Sequence, residues 1–481
     1  MDDARERVLD SIDQNWVVET LMELISIPSY ADFTKPQDEW EMAKTNYIEH
    51  KCKEVGCDVI RCGEIPNGRF QAILGFLRGK ERPIKISYHA HIDTHQQLDY
   101  KLYDPLRVPK NPIRGPHAPA VVNGRVYGLG AGDSMPPIAA FLGAVAAIKK
   151  AGVQLKYDAL GVFNPAEMEC GKGAQVAVDW MKANNVIPEF MVAGEPNGYD
   201  IALAQNNIVG FEIEIDGVAG FAVSLPASGV IKGYGNALER MSDVIQDLKT
   251  MMGKEPRFQF KHSLKTSGEN PLPMDSHMWF GASYGGSRFW GHGHCMAPYE
   301  PLPPGEKHRH VTNNRGGYAP HIMPEVAKLR FEICAPPREL KSGEEYSFDP
   351  APGLSRRELE ELITKRLEKL WKEKPTQCTY QPLRTVREWG GPYIIAADDP
   401  HVQLFKKSVV AAGVREPKCT ALTATCSEAV NFSEELGEFP FISYSPGIHQ
   451  YHRPDESCGV DELIDTTKAY ASAILDFCEV V

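Results

Sequence analysis

Ile84-Lys85-Ile86-Ser87-Tyr88-His89-Ala90-His91-Ile92-Asp93-Thr94-His95 is the stretch on which the fold turns. Ile84 to Tyr88 is a short β-rich run, and a cluster of imidazoles and a carboxylate follows it at once. Alternation along a strand puts His91 and Asp93 on one face. In open α/β sheets, ligands gather at the carboxyl ends of strands. A ligating imidazole also needs a carboxylate or carbonyl partner to orient it. A polar strand end with solvated histidines would show the same residues, so the surrounding chain has to decide.

Upstream, Val8 to Ile25 carries apolar residues at helical spacing and predicts one opening helix. Asp38 to Val55 is a second helical pattern, and Gln71 to Phe76 a second β-rich run. Downstream, a Pro-rich loop (Asp104 to Val122) leads to Val126–Gly130 and then a small-residue apolar helix, Pro137 to Ala151. Strand runs follow at Ala159–Phe163 and Phe190–Ala193. Strands alternating with helices predict an α/β domain with a mainly parallel sheet and helices on both faces. Near Ile208 the pattern changes. Phe211–Ile215 and Ala327–Ile333 alternate apolar and polar, with helical patterns at Asn236–Met252 and Arg356–Trp371. These predict an inserted α+β sandwich. The stretch from Lys254 to Pro320, rich in Gly, Pro and His, is too long for an ordinary connection and reads as a functional loop or lid. The α/β pattern resumes with helices at His401–Ala412 and Asp461–Val480 and a strand at Phe441–Tyr444. The expected organisation is an α/β domain formed by residues 1–207 and 387–481, interrupted by the α+β domain at 208–386.

Composition narrows the function. The 481 residues hold 52 Lys and Arg against 64 Asp and Glu, a net charge of −12. Phosphate binding needs clustered cations, so nucleic acid is not the expected partner. The longest apolar run, Ile138 to Ile148, is too short to span a membrane. Met1–Glu6 is charged and lacks the apolar core of a secretory signal. The 11 cysteines are scattered with no Cys-x-x-Cys pair, which suggests reduced thiols and a cytoplasmic location.

Five segments concentrate metal-type ligands after strand-like runs. The first is His91-Ile92-Asp93. The second is Gly128-Leu129-Gly130-Ala131-Gly132-Asp133, where glycines let Asp133 sit in a tight turn ahead of a helix. The third is Glu167-Met168-Glu169, the fourth Gly194-Glu195-Pro196, and the fifth His449-Gln450-Tyr451-His452-Arg453-Pro454-Asp455-Glu456. Each alone reads as a polar turn, and Asp133 alone as a helix cap.

Taken in order, the five segments resemble the metallopeptidase family of aminoacylase, carboxypeptidase G, succinyl-diaminopimelate desuccinylase and acetylornithine deacetylase. Asp104-Pro105-Leu106 and Asn123–Gly128 also look like the run that family places before its turn Asp. The resemblance implies a dinuclear site for zinc, manganese or cobalt. His91 and Glu195 would hold one ion, His452 and a Glu the other, and Asp133 would bridge them. Asp93 would orient His91, and Glu167 would be the general base. It also implies a small-molecule substrate and a homodimer formed through the inserted domain.

The chain departs from that family's pattern in three places. The adjacent Glu-Glu pair is here Glu167-Met168-Glu169. Counting forward to Gly173 puts Met168 in the second ligand position, whereas a local shift would give it to Glu169. A thioether is a poor ligand for a hard ion, so either Glu169 takes that role or the second site is weak and one ion serves. Phe221 stands where many relatives carry an oxyanion-stabilising His, leaving His292, His294, His308, His310 and His321 as substitutes. The Lys-Gly that usually follows the turn Asp is replaced by Met135-Pro136-Pro137. The expected reaction is attack of ion-activated water on a peptide or N-acyl amino acid amide. One alternative is removal of an amino group from an aromatic ring, as in nitroanthranilate aminohydrolase, where Phe221 would pack on the ring. Another is a non-catalytic binding relative, although such a protein would have no need of Glu167.

Overall fold

The run that opens the sequence argument forms a strand at the centre of a nine-stranded sheet. In this computed structural model the described residues are 2–30, 42–63, 71–94, 112–170, 173–205, 207–218, 220–221, 235–254, 262–264, 272–274, 277–286, 322–323, 326–335, 356–389, 393–422, 427–447 and 453–481. The chain divides into two compact units. One comprises Met1–Gln205, Ser263–Leu272 and Tyr393–Val481; the other comprises Asn206–His262 and Pro273–Pro392.

The helices in chain order are α1 (Asp2–Asp10), α2 (Gln14–Ser26), α3 (Met42–Glu54), α4 (Met135–Lys150), α5 (Glu167–Cys170), α6 (Gly173–Ala183), α7 (Ala237–Lys254), α8 (Arg356–Glu373), α9 (Pro400–Ala411), α10 (Ala429–Leu436) and α11 (Val460–Cys478). The first nine strands used below are β1 (Asp58–Cys62), β2 (Ala72–Leu77), β3 (Ile84–His91), β4 (Ala120–Val122), β5 (Arg125–Tyr127), β6 (Asp158–Asn164), β7 (Met191–Ala193), β8 (Ile201–Gln205) and β9 (Asn207–Asp216).

In the first unit the sheet runs β1-β2-β6-β3-β7, then Phe441–Ser443, β8 and Tyr393–Ile394, with Cys419–Leu422 also beside β8. Its centre is parallel: β6 with β3, β3 with β7, and β7 with Phe441–Ser443. The flanks β1–β2–β6 are antiparallel. Strands β6 and β7 are buried along their whole length and β3 along nearly all of it. Parallel strands covered on both faces give the continuous apolar runs seen in the sequence. Register sets His91 beside Asn164, and His89 beside both Val162 and Ala193. The carboxyl ends of β3, β6 and β7 therefore open at one edge.

The predicted opening helix is two helices. Asp13 accepts the Trp16 N–H at 3.1 Å and starts α2. Apolar spacing continues across this joint, so periodicity alone missed the break. A second correction concerns the Lys254–Pro320 stretch, which contains the strands His262–Leu264, Leu272–Met274 and His277–Gly286. Glycines there dilute the β-favouring Trp279, Phe280 and Tyr284.

In the second unit β9 pairs antiparallel with Val326–Ala335, which in turn pairs with His277–Gly286. Val209, Phe211, Ile213 and Ile215 alternate into a core with Leu329, Phe331 and Ile333, covered by Val244 and Leu248 of α7 and Leu359 and Ile363 of α8. Glu212 falls on the opposite face, where Arg330 and Arg384 donate to it at 2.7 and 3.1 Å.

Helix α4 is apolar on almost every side because it packs against both α2 and α11. Gly143 allows that approach: a Cβ there would stand 2.5 Å from Val17 Cγ2 and 3.1 Å from Thr467 Cγ2. We expect Gly143→Ala to destabilise the first unit by about 1–3 kcal/mol through overpacking, measured by urea unfolding. An unchanged midpoint would count against the close packing.

Candidate metal centre

Four connections deliver side chains to the open edge of the sheet. His91 ends β3 and Asp93 follows it. Ala166, with φ at +59°, turns the chain from β6 into α5 and so places Glu167. Such a φ is strained for a residue with a Cβ. Glu195 follows β7, and Asp133 sits between β5 and α4. Asp133 does not cap α4; that position is taken by Ser134.

The imidazole of His91 is held at both nitrogens. Its Nδ1 lies 3.0 Å from the carbonyl oxygen of Asp93, and its Nε2 lies 2.9 Å from Asp133 Oδ1. A donor bond from Nδ1 to the carbonyl leaves Nε2 as the ligating atom. His91, Asp133 and Glu195 each offer one ligand atom, all within 4.8 Å of one another, and all three are buried. The Asp93 carboxylate stands 3.4 Å from Nδ1 and also holds the neighbouring loop. Its Oδ1 accepts the Glu167 N–H at 3.1 Å and its Oδ2 the Met168 N–H at 2.8 Å. One residue thus orients the imidazole and sets the start of α5.

Burial and like charge govern the electrostatics. Burial, then Asp133, pushes Glu195 up to about 8. Burial holds Glu167 well above the usual carboxylate range; His91 opposes this, while Glu195, Glu428 and Asp93 add to it. Burial works against a charged His91, yet bonds to Asp133 and Asp93 raise its proton affinity well above normal. Carboxylates gathered out of water around His91 call for added positive charge. A buried set of one imidazole and two carboxylates at mutual ligand distance fits a divalent cation.

Among the expected site residues, the structure brings His91, Asp93, Asp133, Glu167 and Glu195 to this edge. Glu169 lies on α5, but its side chain is outside the described residues, as are His452 and the histidines at 292, 294, 308, 310 and 321. Phe221 belongs to the second unit, its backbone paired with Ile322. Of the fifth segment, Glu456 is described: its Oε1 accepts the N–H groups of Gly132 and Asp133 at 2.7 and 2.9 Å.

Sequence reasoning missed Glu428. It is buried just before α10, where an acid reads as a helix cap, but its side chain makes no cap bond. Its Oε2 instead accepts from Asn164 Nδ2, and the Oδ1 of that amide lies 2.6 Å from His89 Nε2. No local signal marks it, because its partners lie more than 250 residues away.

A parallel-centred α/β unit with buried imidazole and carboxylates at its strand ends is an architecture suited to binding a divalent cation. The chain belongs to peptidase family M20/M25/M40, whose model matches residues 88–476. The family expected from the five segments is therefore the one found. The chain is similar to the succinyl-diaminopimelate desuccinylase of Gluconacetobacter diazotrophicus, 31% identical over 140 residues, covering 28% of this chain and 35% of the relative. The desuccinylase of Anaplasma marginale is 29% identical over 154 residues, covering 31% of this chain and 40% of the relative. The match thus spans well under half the length of these relatives. The acetylornithine deacetylase of Buchnera aphidicola is 23% identical over 460 residues, covering 95% of this chain and 96% of the relative. In fold the chain resembles the di-peptidase Dug1p of Saccharomyces cerevisiae (12% identity, TM-score 0.70, 100% of this chain and 99% of that one). It also resembles human carnosine dipeptidase 1 (15% identity, TM-score 0.68, 99% of each).

The raised Glu195 gives a pH dependence. In the unfolded chain this carboxyl ionises near 4.5, and in the ion-free folded protein near 8. Between these values the folded form binds more protons, so stability falls as pH rises. A divalent ion replaces those protons. Stabilisation by added Zn²⁺ or Mn²⁺ should therefore be small toward pH 4.5 and grow toward pH 8. Thermal unfolding with and without a chelator measures it; a pH-independent increment would contradict the assignment.

Proposed function

We propose that this protein is a metal-dependent hydrolase of C–N bonds, acting on a peptide or N-acyl amino acid amide. The observation that carries this reading is the buried His91–Asp133–Glu195 group with Glu167 fixed nearby by Asp93. In this reading His91, Asp133 and Glu195 would hold an ion, and His452 with Glu169 would hold a second one. Gly447 and Glu456, which flank the segment of His452, both abut Gly132 beside Asp133, and that supports the assignment. One or two ions of zinc, manganese or cobalt held there would supply a Lewis acid.

Glu167 takes the proton from the attacking water and returns it to the leaving nitrogen. Burial keeps its proton affinity above that of an ordinary carboxylate, which suits a group that both accepts and donates. Asp93 holds the backbone of Glu167 and Met168, so the base cannot drift from His91.

A second reading is removal of an amino group from an aromatic ring, favoured by Phe221 at the place where many relatives carry a His. Attack on a ring carbon forms no carbonyl oxyanion, so no oxyanion-stabilising His is needed. A purely binding role is disfavoured because it would need no base. We also take residues 208–386 as an inserted domain that forms a homodimer, supported by the edge position of His277–Gly286 in its sheet. A cytoplasmic location is supported by Cys52, Cys57, Cys62, Cys378, Cys419, Cys458 and Cys478, which are free thiols and, Cys419 apart, buried. Among the described residues no helix is long and apolar enough to cross a membrane.

Glu167→Gln should retain bound metal and lose about 10²–10⁴ in turnover, read by elemental analysis and by assay on dipeptides, N-acyl amino acids and aminobenzoates. Near-normal turnover would remove Glu167 from the mechanism. Activity on aminobenzoates alone would select the second reading.

A further inference from the structure

We propose that Glu456 is a positioning residue: its carboxylate sets the Asp133 turn and thereby where the Asp133 side chain meets His91. This rests on the reading of Asp133 as a metal ligand. Glu456 is about 1% exposed and comes from the other end of the chain, 323 residues from Asp133. Its Oε1 accepts the N–H groups of Gly132 and Asp133 at 2.7 and 2.9 Å. Its own carbonyl accepts the Gly128 N–H at 3.1 Å. Two consecutive N–H groups of one turn therefore converge on a single carboxylate oxygen. That suits a group with two acceptor oxygens and no donor.

The local sequence is shaped for this contact. Gly130 has φ at +90°, a backbone that other residues adopt only with strain. A Cβ on Gly132 would stand 3.3 Å from Glu456 Oε1 and 3.3 Å from the Gly447 carbonyl. The pairing of Ser457–Gly459 with β5 brings Glu456 to the turn. The device matches what Asp93 does for Glu167 and Met168. In each case a buried carboxylate grips consecutive backbone N–H groups next to an acid of the centre. A buried N–H that loses its partner will seek another, and the turn will move.

The test compares Glu456→Gln, Gly132→Ala and Asp133→Ala in the full-length protein loaded with Co²⁺, reading metal affinity, the visible ligand-field spectrum and kcat against KM. Glu456→Gln puts an uncharged amide oxygen where a charged acceptor took both N–H groups, so affinity should fall about 10–100-fold, the spectrum should change, and kcat should fall more than KM rises. Gly132→Ala should shift the spectrum in the same direction by less. Unaltered affinity and spectrum in Glu456→Gln would overturn the proposal. Should Glu456→Gln fail to fold, an unaltered spectrum in Gly132→Ala would do so instead. Full Co²⁺ binding by Asp133→Ala would overturn the ligand reading itself, a result separable from either of these.

Discussion

Everything at the open edge of the central sheet follows from gathering carboxylates in a dry place. Asp93, Asp133, Glu167 and Glu195 are all buried, with His91 as the imidazole among them. Such a cluster repels itself and is poorly solvated, so it persists only with protons or a cation to balance it. The upward displacement of Glu195 and Glu167 is the protonic form of that balance. A divalent ion is the other form, and it is the one that a family of metallopeptidases uses.

Holding such a cluster together takes fixed backbone as well as fixed side chains. The structure does this with acids that accept main-chain N–H groups. Asp93 grips Glu167 and Met168, and Glu456 grips the turn of Asp133. Charge-assisted bonds of this kind are stronger and shorter than neutral ones. Asn164 adds a third link, its side chain bridging His89 and Glu428 while its carbonyl accepts the Ile92 N–H at 2.9 Å. The strand that carries His91 is thus tied to α10 from the far end of the chain.

Much of this was readable from the chain. The buried central strands are continuous apolar runs, and β9 alternates; both patterns follow directly from which faces are covered. The helix break at Asp13 was hidden because apolar spacing crosses it. The strand His277–Gly286 was hidden because glycine weakens the β signal. Glu428 gave no sign because an acid ahead of a helix has a simpler explanation in sequence.

By itself the sequence determined residue types and their order: an imidazole and carboxylates after strand runs, small residues where backbones must approach, alternation where one face is exposed. These are local properties, set by backbone geometry and side-chain volume within a few residues. Only the tertiary structure decided which acids meet. Asp133 and His91 are 42 residues apart, Asp93 and Met168 75, and Gly132 and Glu456 324. Such partners are chosen by sheet order and register, which no short window of sequence contains.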